Sequence, residues 1–200
     1  MTALPDHDPD AGGARARKRN ATRARIAETG LQLFLRDGYE ATTLDDIAAA
    51  AGISRRSFFS YFKSKDDLVL AWQAAAWQEV CAALRTVSPD TAPLDAVRRT
   101  LVAHAAQYQH EEMEALDGVM RASETLTIRK QAAYATQEAM LFDVLCEVWR
   151  QPEKRAALRI VAMVAMGAMR LAIEDWRRRP EAGSAAQALE RTFDLIRAEI

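Results

Sequence analysis

Twenty residues, Thr43 to Phe62, constrain this chain more than any other stretch: Thr-Leu-Asp-Asp-Ile-Ala-Ala-Ala-Ala-Gly-Ile-Ser-Arg-Arg-Ser-Phe-Phe-Ser-Tyr-Phe. Two short helical patterns meet at Gly52, and each has its own start signal. Thr43 precedes the first, with Asp46 three residues on, where an acid favours a helix N-terminus. Ser54 caps the second. The turn Ala51-Gly52-Ile53 sets a glycine where the chain needs positive φ, followed by an apolar residue that faces inward. Leu44, Ile47 and Ala48 give the first helix an apolar face, and Phe58 and Phe62 give the second another. Arg55, Arg56, Ser57, Phe59 and Ser60 are left outward. This predicts a helix-turn-helix whose second helix enters the DNA major groove. A helical hairpin with a solvated basic end fits the same residues, so the flanks decide.

Charge separates the two. The chain carries a net −1, yet residues 14–65 carry +6, between −3 over residues 1–13 and −4 over residues 66–200. A basic block of this kind is what DNA binding needs. Arg15, Arg17, Lys18, Arg19, Arg23 and Arg25 run without an acid among them, and a cationic arm ahead of a helix-turn-helix gains affinity by releasing counterions. Arg55 and Arg56 are expected to read base edges, since arginine pairs bidentately with guanine. Thr43, Ser57, Tyr61 and Lys65 are expected on phosphates and Phe59 on a thymine methyl or sugar, with Ser54 and Ser60 on the same face. Ile26, Gly30, Leu33 and Phe34 mark a preceding helix, ended by Asp37-Gly38, and Lys63 is expected to close the third.

From Ala24 to Leu70 the chain resembles the DNA-binding domain of the TetR (tetracycline repressor-like) transcriptional regulators. The resemblance rests on Ile26, Leu33, Phe34, Gly38, Tyr39, Thr42-Thr43, Ile47-Ala48, Ala51-Gly52-Ile53-Ser54, Phe58, Tyr61-Phe62, Ser64-Lys65 and Leu68. It implies an all-α chain, with a three-helix DNA-binding domain and then a larger helical domain for ligand binding and dimerisation. Thr29-Gly30 departs from the alanines usual in relatives, which predicts close helix packing at Gly30. The string Ser54-Arg55-Arg56-Ser57-Phe58-Phe59 resembles an actinobacterial subgroup that includes the mycofactocin regulator, some members of which respond to acyl-CoA thioesters. No resident cofactor is implied.

Half the residues are apolar, with only eight glycines and six prolines in 200, which favours an all-helical chain with a substantial core. Residues 1–14 read as a disordered tail, 15–65 as the DNA-binding domain and 66–200 as the second domain. Helix 4 is expected from Lys65 to about Arg85 with Leu68, Trp72, Ala75 and Ala76 buried, which makes it the lever between the domains. Thr86 to Pro93 is the clearest break. Helices follow over about Leu94–Glu111, Met113–Ala122, Leu126–Arg150 and Glu153–Arg179, and a last one is capped by Ser184. Cys81 and Cys146 read as buried free thiols. No secretory h-region is visible, and the longest apolar run, Ile160 to Met169, is too short to span a bilayer, so a cytoplasmic protein without a membrane partner is expected.

No phosphate loop, nucleophile elbow or metal-ligand pair occurs, which argues against an enzyme and against a bound metal. The aromatic and methionine residues fill a core on the simplest reading; on the functional one some of Trp72, His104, Tyr108, Met120, Arg121, Tyr134, Phe142 and Met166 line a ligand cavity, since methionines repack around apolar ligands. Small and branched residues alternate over Glu153–Arg179; a buried central helix of a monomer shows this too, but with an end at Arg177 and one last amphipathic helix after it the pattern better matches half of an isologous four-helix interface holding Ala157, Val161, Val164, Ala168, Leu189 and Phe193. The expectation is a homodimeric transcription regulator, a repressor released by a small-molecule effector, on palindromic double-stranded operator DNA. A helical ligand-binding or scaffolding protein without sequence-specific DNA binding is the alternative.

Overall fold

The computed structural model describes residues 9–199, and among them there are nine α-helices, two short 3₁₀ turns and no strand. They form two compact units, Met1–Gln73 and Ala74–Ile200. The all-α expectation holds.

The first unit contains α1 (Pro9–Asp37), α2 (Leu44–Ala50), α3 (Arg55–Phe59) and the first turns of α4 (Lys65–Arg85). Ile26, Phe34, Ile47, Phe58, Phe62 and Leu68 are essentially excluded from solvent and make its core. Gly30 lies where α1 meets α4: a Cβ there would come within 2.6 Å of a Leu68 methyl. The departure from alanine is thus explained by close packing.

Several expectations are corrected. Residues 9–14, read as tail, are the first turns of α1, which starts with Pro9 at a position where its fixed φ suits a helix and its missing N–H is no loss. Residues 1–8 lie outside the described residues. The boundary between the units falls inside α4 rather than at Lys65, because Lys65, Asp66 and Leu68 all engage α1 or the segment after it. α3 ends at Phe59, not Lys63: Ser60 and Tyr61 donate their N–H groups three residues back, to Ser57 and Phe58, which tightens and stops the helix. On α4, Trp72, Ala75 and Ala76 are only half-buried, and the buried positions of the second unit are Trp77, Val80, Cys81 and Leu84.

The second unit holds the rest of α4 with α5 (Pro93–Ala105), α6 (His110–Met120), α7 (Glu124–Val148), α8 (Arg155–Arg178) and α9 (Ala185–Glu199). α8 packs against α5, α7 and α9, and α9 also lies on α5. Leu101, Leu141, Leu145, Leu158, Ala165, Trp176, Leu189 and Phe193 are buried together in one core. The helix expected to reach Glu111 stops at Ala105. Glu112 accepts from the Gln109 N–H at 2.9 Å and, with Glu111, starts α6 there, so His104 and His110 stand on separate helices. The break before Pro93 is held by Trp149, whose Nε1 donates to the carbonyls of Pro89 at 2.8 Å and Thr91 at 3.2 Å. Cys81 is buried and Cys146 half-buried, both as free thiols. By length and composition alone Pro152–Arg178 could cross a membrane, but its Leu158, Ala162, Ala165 and Ala172 are core residues here.

Gly30→Ala provides a test of the α1–α4 contact. Helix propensity alone favours alanine by about 1 kcal/mol, but the added methyl meets a Leu68 side chain that has no solvent to move into, and overpacking costs about 1–3 kcal/mol. The expected outcome in urea unfolding is a net loss of stability. A gain of about 1 kcal/mol would contradict the packing described.

Candidate nucleic-acid interface

The helix-turn-helix is built by local hydrogen bonds before any tertiary contact. Thr43 accepts from the Asp46 N–H at 3.1 Å, and Asp46 accepts from the Thr43 N–H at 2.9 Å and hydroxyl at 2.6 Å, a reciprocal cap that holds the Asp46 carboxyl below its usual range. At the other end of α2, Gly52 has φ +64°, and its N–H and that of Ile53 return to the carbonyls of Ala49 and Ala48. These two bonds form a Schellman turn, which needs the left-handed residue that glycine supplies. Ser54 then caps α3 by accepting from the Ser57 N–H at 3.1 Å.

Cations from α1 close both helices. Arg25 donates to the carbonyl of Ala51, the C-cap of α2, at 2.6 Å, and Arg19 donates to that of Ser60, the C-cap of α3, at 3.3 Å. A guanidinium at a helix C-terminus satisfies an orphan carbonyl and opposes the negative end of the dipole. Arg23 lies 4.9 Å over the Phe62 ring and Arg19 5.9 Å over that of Tyr61. Lys65 is engaged as well: its ammonium donates to the carbonyls of Tyr39 at 2.7 Å and Thr42 at 3.2 Å and sits over the Tyr39 ring. Tyr39 in turn donates to Asp66, and burial followed by that carboxylate raises the phenol far above its usual range.

What remains outward is a short list. Arg56 is exposed with no ion pair among the described residues, and Phe59 is 47% exposed. Arg55 is exposed but held, paired with Asp45 at 2.7 Å and lying 5.9 Å from the centre of the Phe59 ring. Ser54 and Ser60 are exposed and Ser57 and Tyr61 partly so. Arg15, Arg17 and Lys18 are exposed on α1, so they belong to a helix and not to a flexible arm. Of the cations expected at DNA, Lys65 and Arg19 are thus employed inside the unit, together with Arg23 and Arg25. Asp45, which orients Arg55, was missed; its place opposite Arg55 follows from the tertiary fold and not from spacing.

The expected ligand residues scatter. Trp72 belongs to the first unit. Met120 and Met166 are buried. Phe142 lies under Arg155 at 4.9 Å and Arg159 at 5.5 Å. His104 and Tyr108 stack edge-to-face, and His104 also lines a cleft of about 290 Å³ between α4 and α5 with Glu79, Arg99 and Thr100; burial lowers its imidazole pKa. Arg121 pairs with Asp117 and Tyr134 lies under Arg170. The expected interface residues divide likewise. Ala168, Leu189 and Phe193 are buried in the protomer's own core, where α8 packs against α5, α7 and α9. Ala157 is exposed and Val161 and Val164 partly so, while Ile160, Met163, Leu171 and Leu195, which the expectation omitted, are each more than half exposed.

Two arginines that looked alike in the sequence are expected to behave differently. Arg56→Ala costs about 1–3 kcal/mol on a specific duplex and relaxes preference at one base pair, with unfolding unchanged. Arg25→Ala lowers stability by about 1 kcal/mol, the scale of one lost hydrogen bond. Fluorescence anisotropy on specific and scrambled duplexes, with thermal melts, checks both. Equal losses by Arg56→Ala on both duplexes would show that it binds phosphate only.

Comparison with known proteins agrees with this geometry. Residues 26–72 match the family of bacterial regulatory proteins, tetR family. The transcriptional regulator TcmR of Streptomyces glaucescens is 34% identical over 112 residues, 56% of this chain and 50% of TcmR, so the match spans about half of that relative's length. The putative mycofactocin biosynthesis regulator MftR of Mycobacterium tuberculosis is 28% identical over 185 residues, 90% of this chain and 91% of MftR. Among solved structures, a transcriptional regulator from Aquifex aeolicus VF5 superposes with TM-score 0.57 at 17% identity, covering 90% of this chain and 99% of that one. FadR of Thermus thermophilus, a repressor solved in complex with lauroyl-CoA, does so with TM-score 0.54 at 22% identity, covering 86% and 92%. Residues 26–72 thus match the tetR-family DNA-binding domain in sequence, the unit behind it matches in fold, and the chain is similar over most of its length to a TetR-family transcriptional regulator.

Proposed function

We propose that this regulator is a cytoplasmic homodimeric repressor that binds a palindromic operator through α3 and is released by a small-molecule effector held in the second unit. The observation that carries the dimer is the apolar stripe of α8. Ile160, Val164, Gly167 and Leu171 recur at three- and four-residue intervals on one side, and Leu195 of α9 adds to them. Exposed apolar side chains in a continuous stripe mark an interaction surface. A groove of about 430 Å³ between the ends of α8 and α9 is lined by Leu171 and Leu195 and rimmed by Glu174, Arg178 and Arg191, both signs of charge together. Such a face suits pairing with its own copy about a two-fold axis, where each acid can meet a partner base. Two α3 helices then address two half-sites.

Effector release requires a ligand that binds one conformation of the second unit better than another. α4, continuous across the boundary between the units, is the element that transmits the difference. The lauroyl-CoA complex of FadR supports a small-molecule effector in a related fold. The reading is regulation by binding, without catalysis.

Leu171→Glu and Leu195→Glu test the dimer. Each introduces a carboxylate where the side chain is already exposed in the protomer, so folding is retained, but at a two-fold interface every charge is buried twice. The expected result is a monomer by sedimentation velocity with an unchanged helical circular dichroism spectrum. Affinity for a full palindrome falls about 100-fold or more as the second half-site contact is lost. A variant that stays dimeric and keeps its operator affinity would overturn the assignment of this face.

A further inference from the structure

We propose that the seam between α7 and α8 beside Asp117 is a binding site for an organic anion with an apolar body, and that this anion is the charged end of the effector. The second clause rests on the effector reading above; the first stands on the geometry of the seam.

Lys130, Tyr134, Gln137, Leu141 and Leu145 recur at three- and four-residue intervals and share one face of α7. Leu141 and Leu145 have no exposed surface and Gln137 has 7%. The stripe that builds core at the C-terminal end of α7 therefore turns polar and cationic toward its N-terminal end. From the opposite helix come Arg170 and Arg177, seven residues apart on one side of α8. Arg170 lies 5.0 Å over the Tyr134 ring. Further along the same seam Arg159 has its own acid, Glu138, at 2.9 Å.

Counter-charge is short at the Asp117 end. The Asp117 side chain is 6% exposed, with Arg121 2.8 Å from one carboxylate oxygen and Arg177 3.4 Å from the other. One acid thus answers two guanidiniums. Lys130 is half-buried and donates no hydrogen bond to an acid among the described residues, and burial depresses its ammonium pKa. The Arg121 and Arg177 side chains keep 53% and 35% of their surface in solvent, so an anion can reach them, and the half-buried Lys130 is the cation that gains most from a matching charge. One buried donor is also unused: Trp176 Nε1 has no hydrogen-bond partner, and Trp176 precedes Arg177 and meets His110 of α6 edge-on. A carboxylate, sulfonate or phosphate head supplies the missing negative charge and can accept from the Trp176 indole N–H and the Lys130 ammonium. The apolar body follows from the core that continues the stripe, where Met166, Met169 and Ile173 flank Arg170 on α8.

The test uses a matched pair of fluorescent probes that differ only by an anionic group, 1-anilinonaphthalene-8-sulfonate and N-phenyl-1-naphthylamine, on the full-length protein. The sulfonate is expected to bind at least about tenfold more tightly than its neutral counterpart and to release a labelled operator duplex. Lys130→Gln is expected to weaken the sulfonate about tenfold while leaving the neutral probe unchanged, and Lys130→Arg to restore it. Octanoate, but not octanol, should displace the bound sulfonate. Equal binding of the two probes to the wild-type protein overturns the anion site whether or not the variants fold, and so does failure of the sulfonate to bind. If the neutral probe binds equally and releases the operator, the effector reading stands and the anion site falls. Lys130-dependent sulfonate binding without operator release keeps the anion site and removes the effector reading.

Discussion

The hydrogen bond from Arg25 to the carbonyl of Ala51 holds the DNA-reading part of this protein together. α2 has seven residues and α3 five, too short to be stable alone. Each must take its order from outside, and α1 provides it twice, with Arg25 on the C-terminal carbonyl of α2 and Arg19 on that of α3. Beneath these clamps Phe58 and Phe62 lie against each other, ring centres 5.7 Å apart, with no solvent-exposed surface of consequence. Gly30 then lets the first turns of α4 come close enough for Leu68 to complete the core. With the helix-turn-helix fixed from behind, Arg56 and Phe59 can remain outward without destabilising it.

The second unit solves a different problem with α8. Its residues are apolar around most of the circumference, which no single packing face explains. One arc, with Leu158, Ala162, Ala165 and Ala172, is protomer core against α5, α7 and α9. A second arc, with Ile160 and Leu171, faces solvent. A third carries Arg159 and Arg170 toward α7 and Arg177 toward Asp117 of α6. Small residues serve the first arc, where helices must approach closely, and large ones the second, the face proposed above for pairing with a second copy.

Much of this could be read from the residues in order. The caps at Thr43 and Ser54, the turn at Gly52, α4 and the break before Pro93 all rest on local chemistry and stand as expected. What sequence reasoning missed is whatever depends on partners distant in the chain. A count of cations cannot tell Arg56, which is exposed, from Lys65, whose ammonium is committed to two carbonyls. Periodicity ran α5 on through residues 106–109 because the apolar spacing continues, while Glu111 and Glu112 were the signal of a new helix start. Hydrophobicity likewise could not divide α8 between core and outer face, so Ala168, Leu189 and Phe193 were expected one layer too far out. The cationic seam gave no signal at all, since Asp117, Lys130 and Arg177 lie on three helices.

The central claim is that two copies of α3 read a symmetric DNA sequence. Selection of bound duplexes from a random library by the full-length protein, repeated at two salt concentrations, tests it most directly. The account predicts enrichment of an inverted repeat whose half-sites lie about one helical turn apart, with the same repeat recovered at the higher salt. Recovery of unrelated sequences, or of a single half-site with no symmetric mate, would contradict it.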